Sequence, residues 1–180
     1  MTLPQLGPLE SLPALDHPDL LGATVAEALQ TWPGAPEVAV AAIDPELADT
    51  AAFCATYGVG LDISANCVVL AAKRAGETQL AACMVLATTR ADVNGVVKRK
   101  LDVRKASFAP MDTAVELTGM EYGGITPLGL PEGWPLWLAP EVAAADAVVV
   151  GSGIRGSKLA VPGAVLAALP HAETVPDLAR

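Results

Sequence analysis

Aromatic side chains are scarce in this chain of 180 residues: Phe, Trp and Tyr make up 4% of it, against 52% hydrophobic residues overall. Its core therefore has to be packed from Ala, Val and Leu, and is expected to be aliphatic and close-wound. Long apolar runs are missing too. None approaches the eighteen or so residues that span a bilayer, and the opening MTLPQLGPLE has neither a basic segment nor an apolar one of the kind that directs export. The expectation is a cytoplasmic protein with no membrane partner. Cysteine and histidine are few. Cys54, Cys67 and Cys83 are odd in number, lie in apolar runs (AAFCA, NCVVL, AACMV) and form no CxxC pair. That pattern argues against a disulfide framework or a zinc site and favours a small buried hydrophobe over a nucleophile at each cysteine. His17 and His171 both sit beside proline, outside any motif, and read as surface residues.

Positive charge is absent from a whole stretch. Residues 1–72 hold nine acids and no Lys or Arg, whereas the remaining 108 residues hold eleven acids and eleven bases, for a net charge of −9. Five of those bases, Lys98, Arg99, Lys100, Arg104 and Lys105, fall within KRKLDVRK. An acidic chain with one basic cluster steers a polyanion to one place instead of attracting it everywhere, although the same run also suits a solvated helix face.

The length suits one domain, burying about 70% of its unfolded surface. Residues 1–18, with Pro4, Pro8, Pro13 and Pro18, read as an extended, loosely attached lead-in, and residues 19–180 as the domain. ATVAEALQTW has helical spacing with Val25, Ala28, Leu29 and Trp32 on one side, and EVAVAAI reads as a strand. DPELADTAAFCATYG predicts one helix with Asp44 as N-cap, Pro45 at the first turn and Gly58 as stop. NCVVLAAKR and TQLAACMVLA, separated by Ala75-Gly76-Glu77, predict a hairpin apolar on both faces. DVNGVVKRKL predicts a helix capped by Asp92 that turns Lys98 and Lys100 to water, and PMDTAVELTG a helix stopped by Gly119. AVVVGSG reads as a buried strand and VPGAVLAALP as a last helix between prolines. Helices and strands alternate without strict βαβ regularity. The expected fold is α+β, a single compact domain whose mixed, barrel-like sheet core is covered by helices.

Two glycine-rich turns follow ordered elements, in EYGGITPLGL and GSGIRGSK. Neither is a phosphate-binding loop, and GSGIRG is only a loose echo of the dinucleotide fingerprint, so no cofactor is expected. Without a Cβ, glycine lets backbone N–H groups come close to a ligand, and Pro127 biases Thr126 to extended geometry. Such a loop can present several donors to one oxygen, as a developing oxyanion requires, and it can equally be a tight structural turn.

The order and spacing of four features, NCVVLAAK, ADVNGVVKRKL, AVELTGMEYGGITPLGL and VVVGSGIRGSKLAVP, resemble the YbaK/prolyl-tRNA synthetase-associated domain family of aminoacyl-tRNA editing domains, from Asn66 to Leu169. The resemblance implies a trans-editing deacylase that hydrolyses the ester of a mischarged tRNA. It implies that Gly123, Gly124, Ile125, Thr126 and Pro127 cradle the aminoacyl ester and the terminal adenosine. Gly153 and Arg155 would form a neighbouring wall, and Asn66, Thr118 and Arg155 would orient the substrate. An activated ester needs no Ser-His-Asp triad, only a held carbonyl, one admitted water and a pocket sized against the correct amino acid. Lys98, Arg99, Lys100, Arg104 and Lys105 would supply tRNA phosphate contacts, too few to select a tRNA without a partner such as a synthetase. Where many family members carry an anchoring lysine, this chain has Asn66, which has no charge to offer. Lys73, at odd separation along the strand, faces the other way. Two readings therefore stand: a deacylase with an altered site, or a non-catalytic module binding a tRNA end or small ligand. A third, more distant reading has the acidic N-terminal third serving as a partner surface.

Overall fold

The hairpin is the spine of the molecule. In the computed structural model, which describes residues 2–180, β3 (Ala65–Arg74) and β4 (Glu77–Leu86) pair without a break from Ala65↔Leu86 to Arg74↔Glu77. The turn between them consists of Ala75 and Gly76, both at positive φ (52° and 87°), as the tight two-residue hairpin turn requires. β5 (Ala106–Phe108) extends the sheet beside β3, and β6 (Leu136–Leu138) and β9 (Ala172–Thr174) add parallel strands beyond β4. The order is β5-β3-β4-β6-β9.

A second, antiparallel sheet runs β1-β2-β8-β7, from β1 (Leu12–Pro13), β2 (Ala39–Ala42), β7 (Val148–Gly151) and β8 (Ser157–Val161). Its residues alternate between two apolar cores, as the period of two in a strand dictates. Val40, Val148, Val150, Leu159 and Val161 join the main core with Leu70, Met84 and Leu138. Ala39, Ala41, Val149 and Ala160 face a smaller one with Leu6 and Phe53. Helix α1 (Ala23–Thr31) packs Val25 and Leu29 into the main core, and α2 (Thr50–Tyr57) packs Phe53 and Cys54 into the smaller. The remaining helices, α3 (Lys98–Leu101), α4 (Met111–Thr118), α5 (Pro140–Ala144) and α6 (Gly163–Ala167), lie on connections.

The mixed α+β fold is as expected, but the barrel-like closure is not found. The two sheets meet where β3 begins: Ser64 bridges Val149, and the Val149 N–H donates to the Ile63 carbonyl at 2.7 Å. Further along, the same edge of β3 is taken by β5 from Leu70 to Ala72, so the four residues of β7 cannot follow it and the sheets diverge.

Two local expectations are corrected. The stretch 44–58 is not one helix. Asp44 caps a 3-10 turn, Pro45–Leu47, through the Glu46 N–H (2.9 Å), and Asp49 is extended (ψ 134°) before α2 begins and runs to the left-handed Gly58. Nor are residues 2–18 loosely attached. Leu6 and Ala14 are fully buried, Leu12 pairs with Val40, and the Ala14 N–H donates to the Val38 carbonyl. Pro13 pairs with Ala39 of β2, and Pro18 opens a 3-10 turn, Pro18–Leu20.

Candidate active site

A cavity of about 400 Å³ opens where the sheets diverge. Its walls come from the start of β3, the start of α2, the chain after β5, the loop after α4, the end of β7, and one residue of β8, Lys158. Phe108, Met111 and Tyr122 stand at it about half exposed or more, at 62%, 47% and 50%. The volume lies within the range of small-molecule sites, and an apolar wall with few polar groups is their usual make-up.

Of the residues singled out from the sequence, Asn66, Gly123 and Ile125 line this cavity. The Asn66 Oδ1 accepts from the Thr50 hydroxyl at 2.8 Å, while its Nδ2 makes no hydrogen bond among the described residues. Gly123, at φ 82°, and Ile125 likewise have backbone N–H groups with no acceptor among the described residues. Gly124 is turned away. Its N–H donates to Glu121 at 2.9 Å, its carbonyl accepts from the Gly153 N–H at 2.7 Å, and its Cα packs on the Ile154 backbone. Thr126 is fully buried, with its N–H directed at the Met120 Sδ (3.4 Å) and its hydroxyl without a partner among the described residues. Pro127 lines a separate groove beside Trp32, Leu130 and Trp134.

Thr118, Gly153 and Arg155 stand outside the cavity wall and support it. The Thr118 hydroxyl donates to the Ala114 carbonyl (2.7 Å) and accepts from the Met120 N–H (3.2 Å), closing the end of α4. Gly153, at φ 88°, packs its backbone on Gly22 and accepts from the Glu121 N–H. Arg155 is a strap. Its Nε donates to the Pro45 carbonyl and its Nη1 to the Tyr122 carbonyl, both at 3.1 Å, while its own N–H donates to the Glu121 carboxylate at 2.7 Å.

The basic cluster is divided. Lys98, Arg99 and Arg104 surround a shallow hollow with Asn94 and Gly95, and Lys105 is exposed beside them. Lys100 is instead ion-paired with Glu173 (2.5 Å), its Nζ 5.7 Å from the Trp137 ring centroid. The stretch runs directly into β5, whose last residue, Phe108, lines the cavity three positions after Lys105.

Lys158 was not foreseen. It is 7% exposed in a strand otherwise composed of buried small and apolar residues. Its Nζ donates to the carbonyls of Ala48 (2.7 Å) and Gly123 (3.3 Å) and lies 5.7 Å from the Phe53 ring centroid. The Ala48 carbonyl is available because the chain breaks before α2. Burial pushes the Lys158 pKa down to about 8, against the pull of Asp49 and Cys54, and the Arg155 charge adds to the depression. One charged residue in a short strand as apolar as SKLAV was the available signal. Cys67 and Cys83 offer no thiolate at neutral pH. Burial, with Cys83 adjacent, pushes the Cys67 thiol far up, and burial pushes Cys83 up to about 12. No cluster of three metal-ligating side chains occurs among the described residues, and no helix among them is long and apolar enough to cross a membrane.

A two-sheet α+β fold with a polar-tipped apolar cavity at the sheet junction defines the class. The family model for the aminoacyl-tRNA editing domain matches residues 44–169, so the chain belongs to the aminoacyl-tRNA editing domain family. Among solved structures it is similar to a candidate trans-editing enzyme for prolyl tRNA synthetase (20% identity, TM-score 0.71, covering 86% of this chain and 94% of that one). It is also similar to a hypothetical protein (20%, 0.75, 87% and 99%) and to a scaffold protein from computational epitope grafting (19%, 0.72, 86% and 95%). At these identities the likeness is one of fold. No curated protein matches the chain.

Proposed function

We propose that this protein hydrolyses the ester linking an amino acid to the end of a mischarged tRNA, acting in trans. The observation that carries the reading is the pair of unpaired N–H groups at Gly123 and Ile125, on the wall of an apolar cavity in a chain of the editing-domain family. Donors fixed before the reaction and aimed where charge develops are the main requirement for acyl transfer to water. The free Nδ2 of Asn66, held by Thr50, orients the substrate or the attacking water. The exposed faces of Phe108 and Tyr122 offer stacking surfaces for a terminal base. Lys98, Arg99, Arg104 and Lys105 lead toward that mouth and take backbone phosphates, with Lys100 held back by Glu173. Gly124, Thr126, Pro127, Thr118, Gly153 and Arg155 keep the loop in shape. A few phosphate contacts give weak, salt-sensitive binding, which leaves room for a synthetase partner.

The test is a panel of tRNAs charged with Ala, Cys, Ser, Thr and Pro, followed for ester loss at low salt. At least one should be deacylated well above its spontaneous rate, and a panel with none refutes the enzyme. A non-catalytic module that binds a tRNA end or small ligand is the second reading, supported by the neutrality of Asn66. The acidic N-terminal third is a weaker candidate for a separate partner surface, since Asp49, Thr50 and Phe53 contribute to the cavity.

A further inference from the structure

We propose that the Lys158 ammonium is a catalytic residue, the charged donor to the oxyanion that forms as water attacks the ester. This rests on the deacylase reading, and four observations carry it. Lys158 is the one cation on the cavity wall among the described residues, and Asp49 is the one anion. An ammonium has three N–H groups; two are accepted by the Ala48 and Gly123 carbonyls, which leaves one for a ligand. The residue whose carbonyl it grips, Gly123, also has an N–H with no acceptor among the described residues, so a charged donor and a neutral one belong to the same point of the loop. No carboxylate lies within ion-pair distance of Lys158 among the described residues. A buried charge without a counter-ion is costly to hold, and such groups gather at functional sites.

The chemistry balances with water as the only co-reactant. The water oxygen forms a bond to the carbonyl carbon and releases one proton to solvent, and the carbonyl π pair moves onto its oxygen, where Lys158 and the Gly123 N–H hold it. Collapse breaks the bond from carbon to the ribose oxygen, which takes up a proton from solvent. The products are a free amino acid and a tRNA with its terminal hydroxyl restored. The charge that does this is present below pH about 8 and is lost above it. The groups facing it are Asp49, Cys54, Arg155, the two carbonyls and the Phe53 ring.

The test uses the full chain and whichever panel tRNA the wild type deacylates, in single-turnover kinetics with thermal melting alongside. Lys158→Met should melt within a few degrees of the wild type and lose about 100-fold in the chemical rate, the scale of one oxyanion donor, with little change in half-saturating tRNA. The wild-type rate above the spontaneous background should fall past pH about 8, and Lys158→Arg, whose charge does not titrate there, should keep part of the rate and lose that fall. A Met variant with an undiminished rate, or one whose whole defect is in half-saturation, overturns the assignment and leaves the deacylase reading intact. So does an Arg variant that still falls past pH 8, a result that serves even if the Met variant does not fold. A wild type inactive on every tRNA refutes the deacylase reading and this assignment together.

Discussion

In the loop after α4, Gly123 and Ile125 line the cavity and have N–H groups with no acceptor among the described residues; at the end of β7 and in the turn after it, the nearest atoms on the side where Gly151 and Gly153 would carry a Cβ belong to other stretches of protein. A side chain on Gly151 would run into the carbonyls of Gly124 and Ile125, and one on Gly153 into Gly22 and Val25. The second turn is thus the pedestal on which the first is built, tied to it by the bond from the Gly153 N–H to the Gly124 carbonyl. The missing Cβ leaves room for the end of the Arg155 side chain at Gly123 and for a second backbone at Gly151 and Gly153, and these are different uses of the same absence.

The comparison is sharpest in a pair of alanine substitutions. In Gly151→Ala the new methyl meets the Gly124 and Ile125 backbone, which cannot swing away, so the two segments must part; we expect about 3 kcal/mol lost in urea unfolding and the deacylase activity lost with it. In Gly123→Ala the methyl meets the Arg155 Nη1, a side-chain end that can shift but only by loosening its bond to the Tyr122 carbonyl, so with the positive φ the cost is about 2 kcal/mol. Activity should suffer more than stability there. Equal losses of stability in the two variants would break the distinction between pedestal and cradle.

Asn66→Ala gives a smaller effect and acts on the cavity alone. It removes the acceptor of the Thr50 hydroxyl and the free Nδ2, both at a partly exposed position, so the fold should lose about 1 kcal/mol or less. Deacylation should drop at least about tenfold, the worth of one hydrogen bond made in the transition state. Measured tRNA-end binding that stays intact while no wild-type activity exists to lose would favour the non-catalytic module.

The elements with a local cause were legible in the sequence. The hairpin follows from two apolar runs and a Gly-containing turn, and the stops at Gly58 and Gly119 from the left-handed φ that only glycine adopts freely. The cap at Asp92 was readable too, since its carboxylate takes the N–H groups of Gly95 and Val96. What escaped has its cause far away in the chain. The break before α2 exposes Ala48 to a lysine 110 residues on, and Gly123 meets that same lysine 35 residues on. No window of sequence contains such a pair. The closure of the sheets also depended on a competition for one edge of β3 between β7 and β5, which hydrophobic periodicity does not express. The glycine loop was therefore singled out by its composition together with the family resemblance of its flanking motifs, whereas the ammonium at its foot needed the fold.

The smallest effect tests whether the basic stretch is one surface or two. Arg99 and Arg104 border the open hollow, while Lys100 is occupied by Glu173 and the Trp137 ring. A charge already paired has less to gain from a phosphate, because the new contact must displace the old one. Arg99→Ala combined with Arg104→Ala should weaken tRNA binding about threefold to tenfold at low salt and lower the slope of log affinity against log salt by about 1.5, as expected for two lost phosphate contacts. Lys100→Ala should change that slope by less than about half as much. The maximal deacylation rate should be unaltered in both, because neither position borders the cavity. If Lys100→Ala matched the double variant in salt slope, Glu173 would not be holding that lysine away from the tRNA, and all five bases would act as a single face.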